Sequence, residues 1–426
     1  MITSPAFSGK RYAVLGLARS GLATVEALAA SGAEVVAWDA DEAKRAAVEG
    51  IAALGDPMEI DLAGFDALVV SPGVPLNRHP ITGRAAAAGV PIIGDIELFA
   101  EARASLPPHK VVGITGTNGK STTTALIHHI CETAGLPTLM GGNIGLPILS
   151  RDPLPKGGVY VLELSSYQID LTRTLDCDVA VLTNITPDHL DRYDGFDAYA
   201  ASKARLFDMS AGTAVIATED DETRRIAAAR EGALVEVSST SITDQSEWPA
   251  LQGPHNAQNA ACAVAAARAL GIADEAVEQA LRTFPGLPHR MERVATRAGV
   301  LYVNDSKATN STATAPALGA YRDIHWILGG LAKTRELDAC LPFLKNVAAA
   351  YTIGDAGPMF ADILRPHGIA VTESGTLEKA VRTAAQVARS GEVVMLSPAC
   401  ASFDQFRDYE ARGDAFRAAV KELPDG

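Results

Sequence analysis

Short apolar runs alternate with longer stretches rich in alanine and polar residues along the chain. Near the N-terminus, apolar runs at 12–15 and 34–38 flank a Gly-containing turn and an Ala-rich stretch that ends at about Ser31. Similar runs follow at 67–70 and 91–93. Apolar runs that alternate with helical stretches predict βαβ units around a parallel sheet. The pattern therefore predicts that the chain begins with an α/β domain.

Two segments rich in proline and glycine interrupt this alternation. SLPPHK at 105–110 precedes a second α/β series, and PGLPHR at 285–290 precedes a third. A chain of 426 residues is long enough for about three domains. We therefore predict three α/β domains at 1–107, 108–287 and 288–426. The later apolar runs predict strands at 110–114, 159–162, 179–182, 300–303, 325–328, 350–353 and 393–396.

Composition and charge narrow the classes of function. The formal net charge of −14 argues against a surface for nucleic acid or anionic membranes, because both partners need an excess of Lys and Arg. The five cysteines stand singly without a CxxC pair, which is typical of reduced thiols that fill a core. No run approaches the roughly 18 apolar residues of a membrane span, and the N-terminus lacks a signal-peptide pattern. The sequence thus predicts a cytoplasmic protein without membrane insertion.

A glycine-rich loop joins the first strand of the second series to a helical stretch that runs from 122 to about 134. The loop lies in GITGTNGKST at 113–122. Its glycines would let backbone amides surround phosphate oxygens, while Lys120 would reach the terminal phosphates and Ser121 would bind Mg²⁺. Ile114 stands where the strict phosphate-loop signature has its first glycine. A glycine-rich turn with an incidental lysine is the structural alternative, and the order of strand, loop and helix favours phosphate binding.

Two candidate metal ligands follow later strands of the same series. Glu163 ends the apolar run that starts at 159, and His189 lies in NITPDHLDRY at 184–193. A phosphate loop needs a carboxylate near its Mg²⁺, and α/β proteins form sites at the carboxyl ends of their strands. Alone, such a Glu is usually a solvated turn residue and such a His is usually structural. The upstream loop makes metal binding the favoured hypothesis for both.

The N-terminal turn approximates a dinucleotide-binding fingerprint. Gly16-Leu17-Ala18-Arg19-Ser20-Gly21 follows the first strand, and Asp39 stands where a ribose-binding acid would lie. Ala18 replaces the middle glycine that admits a pyrophosphate, so the pattern is weak. The loop Ser71-Pro72-Gly73 would add backbone donors to a diphosphate. Taken alone, this turn suggests a nicotinamide-dependent oxidoreductase, which is one alternative function.

A series of motifs makes the chain similar to the Mur ligase family over essentially its whole length. The resemblance implies an α/β fold with a Rossmann-like, UDP-binding N-terminal domain, a central P-loop ATPase-like domain and a Rossmann-like C-terminal domain. Two of its motifs, NDSKATN and SPACASFDQF, look particular to the D-glutamate-adding branch. The motifs are SPG at 71–73, GDIELF at 94–99, GTNGKST at 116–122, GGNIGLP at 141–147, LELSSYQ at 162–168, DHLDRY at 188–193, HNAQNA at 255–260, GLPHR at 286–290, NDSKATN at 304–310 and SPACASFDQF at 397–406.

The resemblance also implies the chemistry. ATP would phosphorylate a carboxylate of UDP-N-acetylmuramoyl-L-alanine, and the amine of D-glutamate would attack the acyl phosphate. The implied cofactors are ATP, two Mg²⁺ ions and a carbamate on Lys203, in a monomer that binds no nucleic acid. The implied catalytic residues are Lys120, His189 and Lys203, and the implied metal ligands are Ser121, Glu163, His189 and Lys203. From the residues alone, Lys203 reads as a surface lysine.

The remaining site residues are also carried over from the resemblance. Ser402-Phe403-Asp404-Gln405 has in addition a capping-box pattern, which predicts the start of a helix. After Asp39 the chain reads Ala40-Asp41, without the Thr-Arg pair of some relatives, so a basic contact to the nucleotide is missing or comes from elsewhere. The implied ATP-binding residues are Gly116, Thr117, Asn118, Gly119, Lys120, Ser121, Thr122, Asn259, Arg290 and Asp305. The implied substrate-binding residues are Ser20, Asp39, Ser71, Gly73, Asn143, Lys307, Thr309, Lys333, Ser402 and Phe403.

One further alternative is a regulatory relative that binds ATP without catalysis. The presence of the four residues Lys120, Glu163, His189 and Lys203 disfavours it.

Overall fold

The structure is a computed structural model that describes residues 1–332 and 334–424. Clustering by contacts gives two compact units, Met1–Ile242 with Gln258–Leu281, and Thr243–Ala257 with Arg282–Gly426. Among the described residues, the first unit contains two sheets and the second contains one. Each predicted α/β series therefore has a sheet of its own, which confirms the predicted fold class. The exact domain boundaries stay predictions.

The N-terminal sheet is parallel and has five strands in the order β3-β2-β1-β4-β5. Its elements are β1 (Arg11–Leu15), α1 (Arg19–Ala30), β2 (Glu34–Trp38), α2 (Glu42–Ala46), β3 (Ala53–Leu54), β4 (Ala67–Val70), α3 (Ile81–Ala88), β5 (Ile92–Ile93) and α4 (Asp95–Ala102). Leu15 at the end of β1 stands opposite both Trp38 and Val70. The turns after β1, β2 and β4 therefore meet at one edge of the sheet.

The central sheet is also parallel, with six strands in the order β11-β10-β9-β6-β8-β7. Its elements are β6 (His109–Thr115), α5 (Lys120–Thr133), β7 (Thr138–Gly142), β8 (Gly158–Glu163), α6 (Ser166–Asp170), β9 (Val179–Leu182), α7 (Gly195–Asp208), β10 (Thr213–Ala217), α8 (Asp221–Ala229) and β11 (Leu234–Val237), followed in the chain by α9 (Pro254–Ala269) and α10 (Asp274–Thr283). Ile114 stands opposite Glu163, and Thr115 stands opposite Leu182. This register brings the phosphate loop, Glu163 and the segment after β9 to one sheet edge.

The C-terminal sheet has six strands in the order β12-β13-β17-β14-β15-β16. Its elements are β12 (Glu292–Arg297), β13 (Val300–Asn304), α11 (Ser311–Ala320), β14 (Ile324–Gly329), β15 (Val347–Ile353), α12 (Gly357–Leu364), β16 (Val371–Gly375), α13 (Leu377–Val387), β17 (Val393–Leu396) and α14 (Tyr409–Lys421). Strand β12 is the antiparallel edge, and its polar, partly exposed residues gave no apolar run to predict it. The loops after β13 and β17 lie side by side, because these two strands pair in parallel.

Buried apolar side chains fill the space between each sheet and its helices. All five cysteines are buried and unpaired, as predicted for core residues. Within the described part of the chain, no helix combines the length and apolar character needed to span a membrane. Short 3-10 helices occupy Pro5–Phe7, Arg103–Ser105, Ile148–Ser150, Ser239–Ser241, Asp338–Asn346 and Arg365–His367.

Candidate functional site

The loop between β6 and α5 has a backbone that requires glycine at two positions. Gly116 has φ 142° and Gly119 has φ 84°, in the region that L side chains rarely adopt. A side chain at Gly116 would collide with Oγ1 of Thr183, and one at Gly119 would collide with Oδ1 of Asn259. Both glycines therefore let the loop fold tightly against its neighbours.

Asn184 holds the loop from the end of β9. The N–H of Thr117 donates to the carbonyl oxygen of Asn184 at 2.8 Å, and the N–H of Asn118 donates to its Oδ1 at 2.9 Å. Thr183 Oγ1 donates to the carbonyl oxygen of Asn118 at 2.7 Å. These two loop amides are thus already used within the protein. The next amides along the chain are those of the first turn of α5, such as Ser121 and Thr122, for which helix geometry provides no intrahelical acceptor.

The side-chain amines of two lysines donate to the same backbone carbonyl oxygen of the loop. Lys120 Nζ donates to the carbonyl oxygens of Gly116 at 2.9 Å and Thr117 at 2.7 Å. Lys203 Nζ donates to the same oxygen of Gly116 at 2.8 Å. Lys203 is 1% exposed, so the interpretation of its residue pattern as a surface lysine was wrong. Burial and the neighbouring charge of Lys120 hold the pKa of Lys203 well below its usual value.

Tyr199 is a site residue that sequence reasoning missed. Its hydroxyl lies 3.1 Å from Oγ1 of Thr117, and its ring lies 4.6 Å from Nζ of Lys203. Burial raises the pKa of Tyr199 to about 12, so the hydroxyl stays protonated and can donate. The sequence feature that could have revealed Tyr199 is its spacing, because it stands one helical turn before Lys203 on α7.

Glu163 has the environment expected of a cation ligand. It ends β8, is 3% exposed, and its Oε1 accepts from Nδ2 of Asn143 at 2.9 Å. The N–H of Asn143 donates to the carbonyl oxygen of Glu163 at 2.8 Å, so the two residues are fixed together. Its Oε2 is buried and has no hydrogen-bond partner among the described residues. A buried carboxylate oxygen without a donor is costly unless a cation or ligand completes its shell.

His189 stands on a strained turn after β9. Its φ is 53°, its side chain is 48% exposed, and its ring centroid lies 5.1 Å from that of Tyr167. No group of three or more His, Cys, Asp and Glu side chains able to hold a metal occurs among the residues that the structure describes. A site here would need the hydroxyl of Ser121 at the start of α5 and a modified Lys203 besides Glu163 and His189. The orphaned oxygen of Glu163 and the buried amine of Lys203 fit such a site.

Asn259, which the resemblance predicts to bind ATP, lies beside this loop in the same unit. It is 2% exposed on α9, and its Oδ1 accepts from Oγ1 of Thr123 at 3.3 Å. The proximity of its amide to Gly119 ties α9 to the phosphate loop.

The turns of the N-terminal sheet edge contact each other. Ser71 Oγ donates to the carbonyl oxygen of Gly16 at 2.9 Å, and Asp39 Oδ2 accepts from the N–H of Leu17 at 2.8 Å. Partial burial raises the pKa of Asp39, but hydrogen bonds from the N–H groups of Asp41 and Leu17 outweigh it and hold the pKa below its usual value. The structure thus brings the predicted residues Ser71 and Asp39 to the turn after β1. Ser20 lies in the first turn of α1, and Gly73 lies exposed in its own loop.

The departure at Ala40-Asp41 also has a structural counterpart. Asp41 caps α2 by accepting from the N–H of Ala43, and Lys44 Nζ lies 3.6 Å from Oδ2 of Asp39. Arg45 Nη1 donates to the carbonyl oxygen of Asp39 at 2.7 Å. Two basic side chains of the short helix α2 therefore stand beside Asp39.

Asp305, in the second unit, is a buried carboxylate at the end of β13. Its Oδ2 accepts from Oγ of Ser397 at 2.7 Å and its Oδ1 accepts from the N–H of Met291 at 3.1 Å. Burial raises the pKa of Asp305 to about 7, against these hydrogen bonds and the charge of Arg290. Burial and, to a smaller extent, the positive charge of the nearby Arg290 lower the pKa of His255 to about 4.

Two loops of the C-terminal sheet carry the residues implied for an amino-acid substrate. Lys307 Nζ lies 3.9 Å above the ring of Tyr409, and Thr309 lies two residues further on in the same loop. In the neighbouring loop, Phe403 is 68% exposed, whereas Ser402 is 2% exposed and its Oγ has no partner among the described residues. Lys333 lies outside the described residues.

The helix predicted to begin at Ser402 was wrong. Residues 402–405 form turns in which the N–H groups of Gln405 and Phe406 donate to the carbonyl oxygen of Ser402, and α14 begins only at Tyr409 with Asp408 as its cap. Asp404 is used elsewhere, because its Oδ2 accepts from the N–H of Asp355 at 3.0 Å. The Ser402 hydroxyl is consequently left for a ligand rather than for a cap.

Arg412 is a second residue that sequence reasoning missed. It is 1% exposed on α14 and donates to Ser306 Oγ at 3.0 Å and to the carbonyl oxygens of Ser306, Cys400 and Ala401 at 2.9, 3.0 and 3.2 Å. It therefore ties the loop after β13 to the loop after β17. No local sequence pattern distinguishes it from an exposed arginine on a polar helix.

The fold and these sites define a three-sheet α/β protein in which a helix N-terminus suited to phosphate and a buried carboxylate lie at the same sheet edge. Three family models match the chain: the N-terminal domain of MurD-like Mur ligases at 10–94, the Mur ligase middle domain at 114–252 and the glutamate ligase domain of Mur ligases at 289–400. The chain belongs to the Mur ligase family, whose members are ATP-dependent ligases of peptidoglycan precursors. This confirms the family resemblance and an ATP-dependent ligase reaction.

Relatives of high identity extend over the whole chain. A UDP-N-acetylmuramoylalanine–D-glutamate ligase of Novosphingobium aromaticivorans is 65% identical over 99% of this chain and 97% of its own length. One of the same name from Zymomonas mobilis is 60% identical over 99% of this chain and 100% of its own length.

Solved structures agree in fold. A UDP-N-acetylmuramate–alanine ligase, MurC, of Thermotoga maritima aligns with a TM-score of 0.59 at 17% identity, covering 97% of this chain and 99% of its own. MurF of Acinetobacter baumannii aligns with a TM-score of 0.58 at 17% identity, covering 86% and 93%. At these identities the likeness concerns the fold alone.

Proposed function

We propose that this chain joins D-glutamate to UDP-N-acetylmuramoyl-L-alanine in an ATP-dependent reaction through an acyl phosphate. The relatives at 60–65% identity carry this substrate pair in their name and match the chain over its whole length. The observation in the molecule that carries the proposal is the pairing of Lys120 and Lys203 on the carbonyl oxygen of Gly116, at the base of the phosphate loop.

The reaction begins with attack of a substrate carboxylate oxygen on the γ-phosphorus of ATP. The bond to the β,γ-bridging oxygen breaks, and ADP leaves with its electron pair. Both partners are anions, so positive charge must lie where they meet. Lys120 and the N-terminal amides of α5 supply it, because the phosphate-binding end of that helix also carries the positive end of the helix dipole. Lys120 would exchange its contacts to Gly116 and Thr117 for phosphate oxygens.

The second step is attack of the D-glutamate amine on the acyl carbon. The amine must be uncharged to attack, inorganic phosphate leaves with the electron pair of the acyl–oxygen bond, and the nitrogen loses a proton as the amide forms. We assign the holding of D-glutamate to the loops after β13 and β17, through Lys307, Thr309, Ser402 and Phe403 together with Lys333. The buried hydroxyl of Ser402 supports this assignment, because it lacks a partner among the described residues.

Ser121, Glu163, His189 and a carbamate on Lys203 would hold two Mg²⁺ ions. Bound Mg²⁺ would supply positive charge to the phosphate oxygens. Carbamate formation requires the neutral amine of Lys203, which attacks carbon dioxide and releases one proton. The lowered pKa of Lys203 supports this step by increasing the neutral fraction, and its burial next to Glu163 gives the carbamate a defined place. We further place ATP against residues 116–122, Asn259, Arg290 and Asp305.

For the UDP part of the substrate, we assign the N-terminal sheet edge, with Ser20, Asp39, Ser71 and Gly73, and we assign Asn143 to the muramoyl part. The proximity of Asp39 and Ser71 to the turn after β1 supports the former. The bond between Asn143 and Glu163 supports the latter, since it puts the muramoyl contact beside the metal candidate. A cytoplasmic monomer remains our expectation for the protein as a whole.

The direct test is release of phosphate from ATP. We expect release only when both UDP-N-acetylmuramoyl-L-alanine and D-glutamate are present, with L-glutamate as the control for handedness. Phosphate release that does not require both substrates would refute the proposed reaction. Turnover with both would exclude a regulatory protein without catalysis, and saturable NADH binding would revive the oxidoreductase alternative.

A further inference from the structure

Two loops of the first unit are joined by hydrogen bonds in both directions. One is the segment 71–80 after β4, which begins with the SPG turn, and the other is the segment 188–193 after β9, which contains His189. Arg192 Nη2 donates to the carbonyl oxygen of Val74 at 2.9 Å. In the opposite direction, Asn77 Nδ2 and Arg78 Nη2 donate to the carbonyl oxygen of Asp191 at 3.0 and 2.9 Å. Asn77, Arg78 and Arg192 are called the latch below.

The latch reaches the UDP side through the SPG turn. Val74 closes that turn by donating its N–H to the carbonyl oxygen of Ser71 at 3.0 Å. Ser71 in turn donates through its hydroxyl to the carbonyl oxygen of Gly16 at 2.9 Å. A shift of Val74 would therefore move Ser71, which we have assigned to the UDP substrate.

The latch reaches His189 by two routes. The N–H of Arg192 donates to the carbonyl oxygen of His189 at 2.9 Å and closes its turn. The Arg192 guanidinium also lies 4.2 Å from the centroid of the Tyr167 ring, and the Tyr167 and His189 centroids lie 5.1 Å apart. The Tyr167 ring thus contacts both the guanidinium and the imidazole.

His189 needs such support, because its own backbone is strained. A non-glycine residue at φ 53° is less stable than in an extended or helical conformation, and it persists only where neighbours hold it. Within the turn, Asp188 Oδ1 accepts from the N–H of His189 at 2.9 Å, and the latch adds bonds to the same segment from a separate strand end.

We propose that the latch is a positioning device that couples binding of the UDP substrate on the SPG turn to the placement of His189 as a metal ligand. The inference rests on the proposed function, since the two ligands are those assigned there. Its consequence is thermodynamic. If the substrate orders the SPG turn and the turn orders His189, then metal nucleotide and UDP substrate must each tighten the binding of the other by the same factor.

The test measures binding and needs no turnover. Calorimetric titration gives the dissociation constant of UDP-N-acetylmuramoyl-L-alanine without metal and with Mg²⁺ plus a non-hydrolysable ATP analogue, and the ratio of the two is the coupling. In the unmodified protein we expect a ratio of about 5 to 100. In Arg192→Ala we expect the ratio to fall to about 1–2, with the metal-free constant changed by less than about threefold. Arg192→Lys should give an intermediate ratio, because it keeps a donor for Val74 but loses the planar group over Tyr167.

A control and a second variant keep the test decisive. Arg224→Ala removes an arginine of α8 whose side chain, in the described part of the chain, bonds to Thr218 and Asp221 of its own turn region, and it should leave the ratio unchanged. The double variant Asn77→Ala with Arg78→Ala breaks the latch from its other side. It should lower the ratio as Arg192→Ala does, and it decides the matter if Arg192→Ala fails to fold.

An unchanged ratio in folded latch variants would overturn the proposal, as would a ratio near one in the unmodified protein. If the latch had only a local structural role, its loss would raise both dissociation constants by the same factor and leave their ratio unchanged. Failure here is separable from failure of the proposed function. If the unmodified protein releases phosphate only with both substrates while the ratio is insensitive to the latch, the ligase assignment stands and the coupling is wrong.

Discussion

The phosphate loop of the central sheet and the paired loops of the C-terminal sheet place ligand-binding groups by different means. In the phosphate loop, the lysine, the glycines and the helix start are consecutive in sequence, and Lys120 bonds to the residues just before it. In the C-terminal sheet, the loops at 304–310 and 397–406 come from strands that are far apart in the chain. Besides the bond between Ser397 and Asp305, the guanidinium group of Arg412 on α14 joins them by bonding to both loops. Local sequence shapes the first site, and a buried tertiary contact shapes the second.

The two regions also treat buried charge differently. Lys203 lies beside a second cation, and burial together with Lys120 lowers its pKa. Arg412 is buried among neutral acceptors, and burial lowers its pKa to about 10, so it remains charged at neutral pH. The first arrangement favours loss of a proton and chemical modification, whereas the second favours a permanent cation that organises backbone oxygens.

The largest effect is expected at the phosphate loop itself. Lys120→Ala removes the cation that we have assigned to the transferring phosphoryl group, and we expect turnover to fall by about 10³-fold or more. Phosphate release under saturating substrates measures it. Lys156→Ala, an exposed lysine of the same unit, is the matched control. Turnover of Lys120→Ala within a few-fold of the unmodified protein would contradict the local account of this site.

Lys203→Ala should reduce turnover by about 100-fold, and acetate should restore part of it, because a small carboxylate can occupy the place of the carbamate. Lys120→Ala is the comparison, since loss of a cation cannot be repaired by adding an anion. Mass spectrometry of the intact protein in bicarbonate, under non-acidic conditions, provides an independent readout of the modification. If the folded variant gains nothing from acetate, the carbamate assignment fails.

Sequence reasoning succeeded where neighbours in the chain determine the structure. The apolar runs located strands in each of the three sheets. The glycine-rich loop was placed correctly after β6, although α5 begins at Lys120 rather than at residue 122. It failed where distant contacts decide. Lys203 reads as a surface residue until α7 packs it against the loop, and Ser402 reads as a helix cap until the turn after it closes. The antiparallel edge strand β12 was not predicted, because polar, partly exposed strands lack the apolar pattern.

Arg412→Lys sharpens the contrast from the C-terminal side. Lysine keeps the charge but loses the planar fork, and its three N–H donors leave at least one of the four acceptors without a donor. We expect the KM for D-glutamate to rise about tenfold with a smaller change in the KM for ATP, and stability to fall by about 2–4 kcal/mol. Urea unfolding and initial rates measure the two effects. Arg407→Lys, whose side chain is 83% exposed, is the control within the same segment.

An equal rise in both KM values would mean that Arg412 acts on the whole domain rather than on the two loops. That result would remove the distinction between a local and a tertiary site.

The smallest effect on turnover is expected at a buried carboxylate outside both regions, which isolates the energetics of burial from those of ligand binding. Asp95 begins α4 and is 4% exposed, its Oδ1 accepts from the N–H of Ile96 at 3.1 Å, and its Oδ2 has no partner among the described residues. Burial raises the pKa of Asp95 to about 6. The folded state therefore binds the proton more tightly than the unfolded state, and stability must fall as the pH rises from about 4 to about 6 and then level off.

Asp95→Asn removes this titration. Relative to the unmodified protein, its free energy of unfolding should improve by about 2–3 kcal/mol between pH 4 and pH 8. The change with pH is the reliable quantity, because the unsatisfied amide that Asn introduces destabilises the variant equally at both values. Urea unfolding at the two pH values measures it, with Asp61→Asn, which changes an exposed carboxylate between β3 and β4, as the control. An equal pH dependence in Asp95→Asn and the unmodified protein would mean that the Asp95 carboxyl is solvated. Burial alone would then be a poor guide to the proton affinity of Lys203 as well.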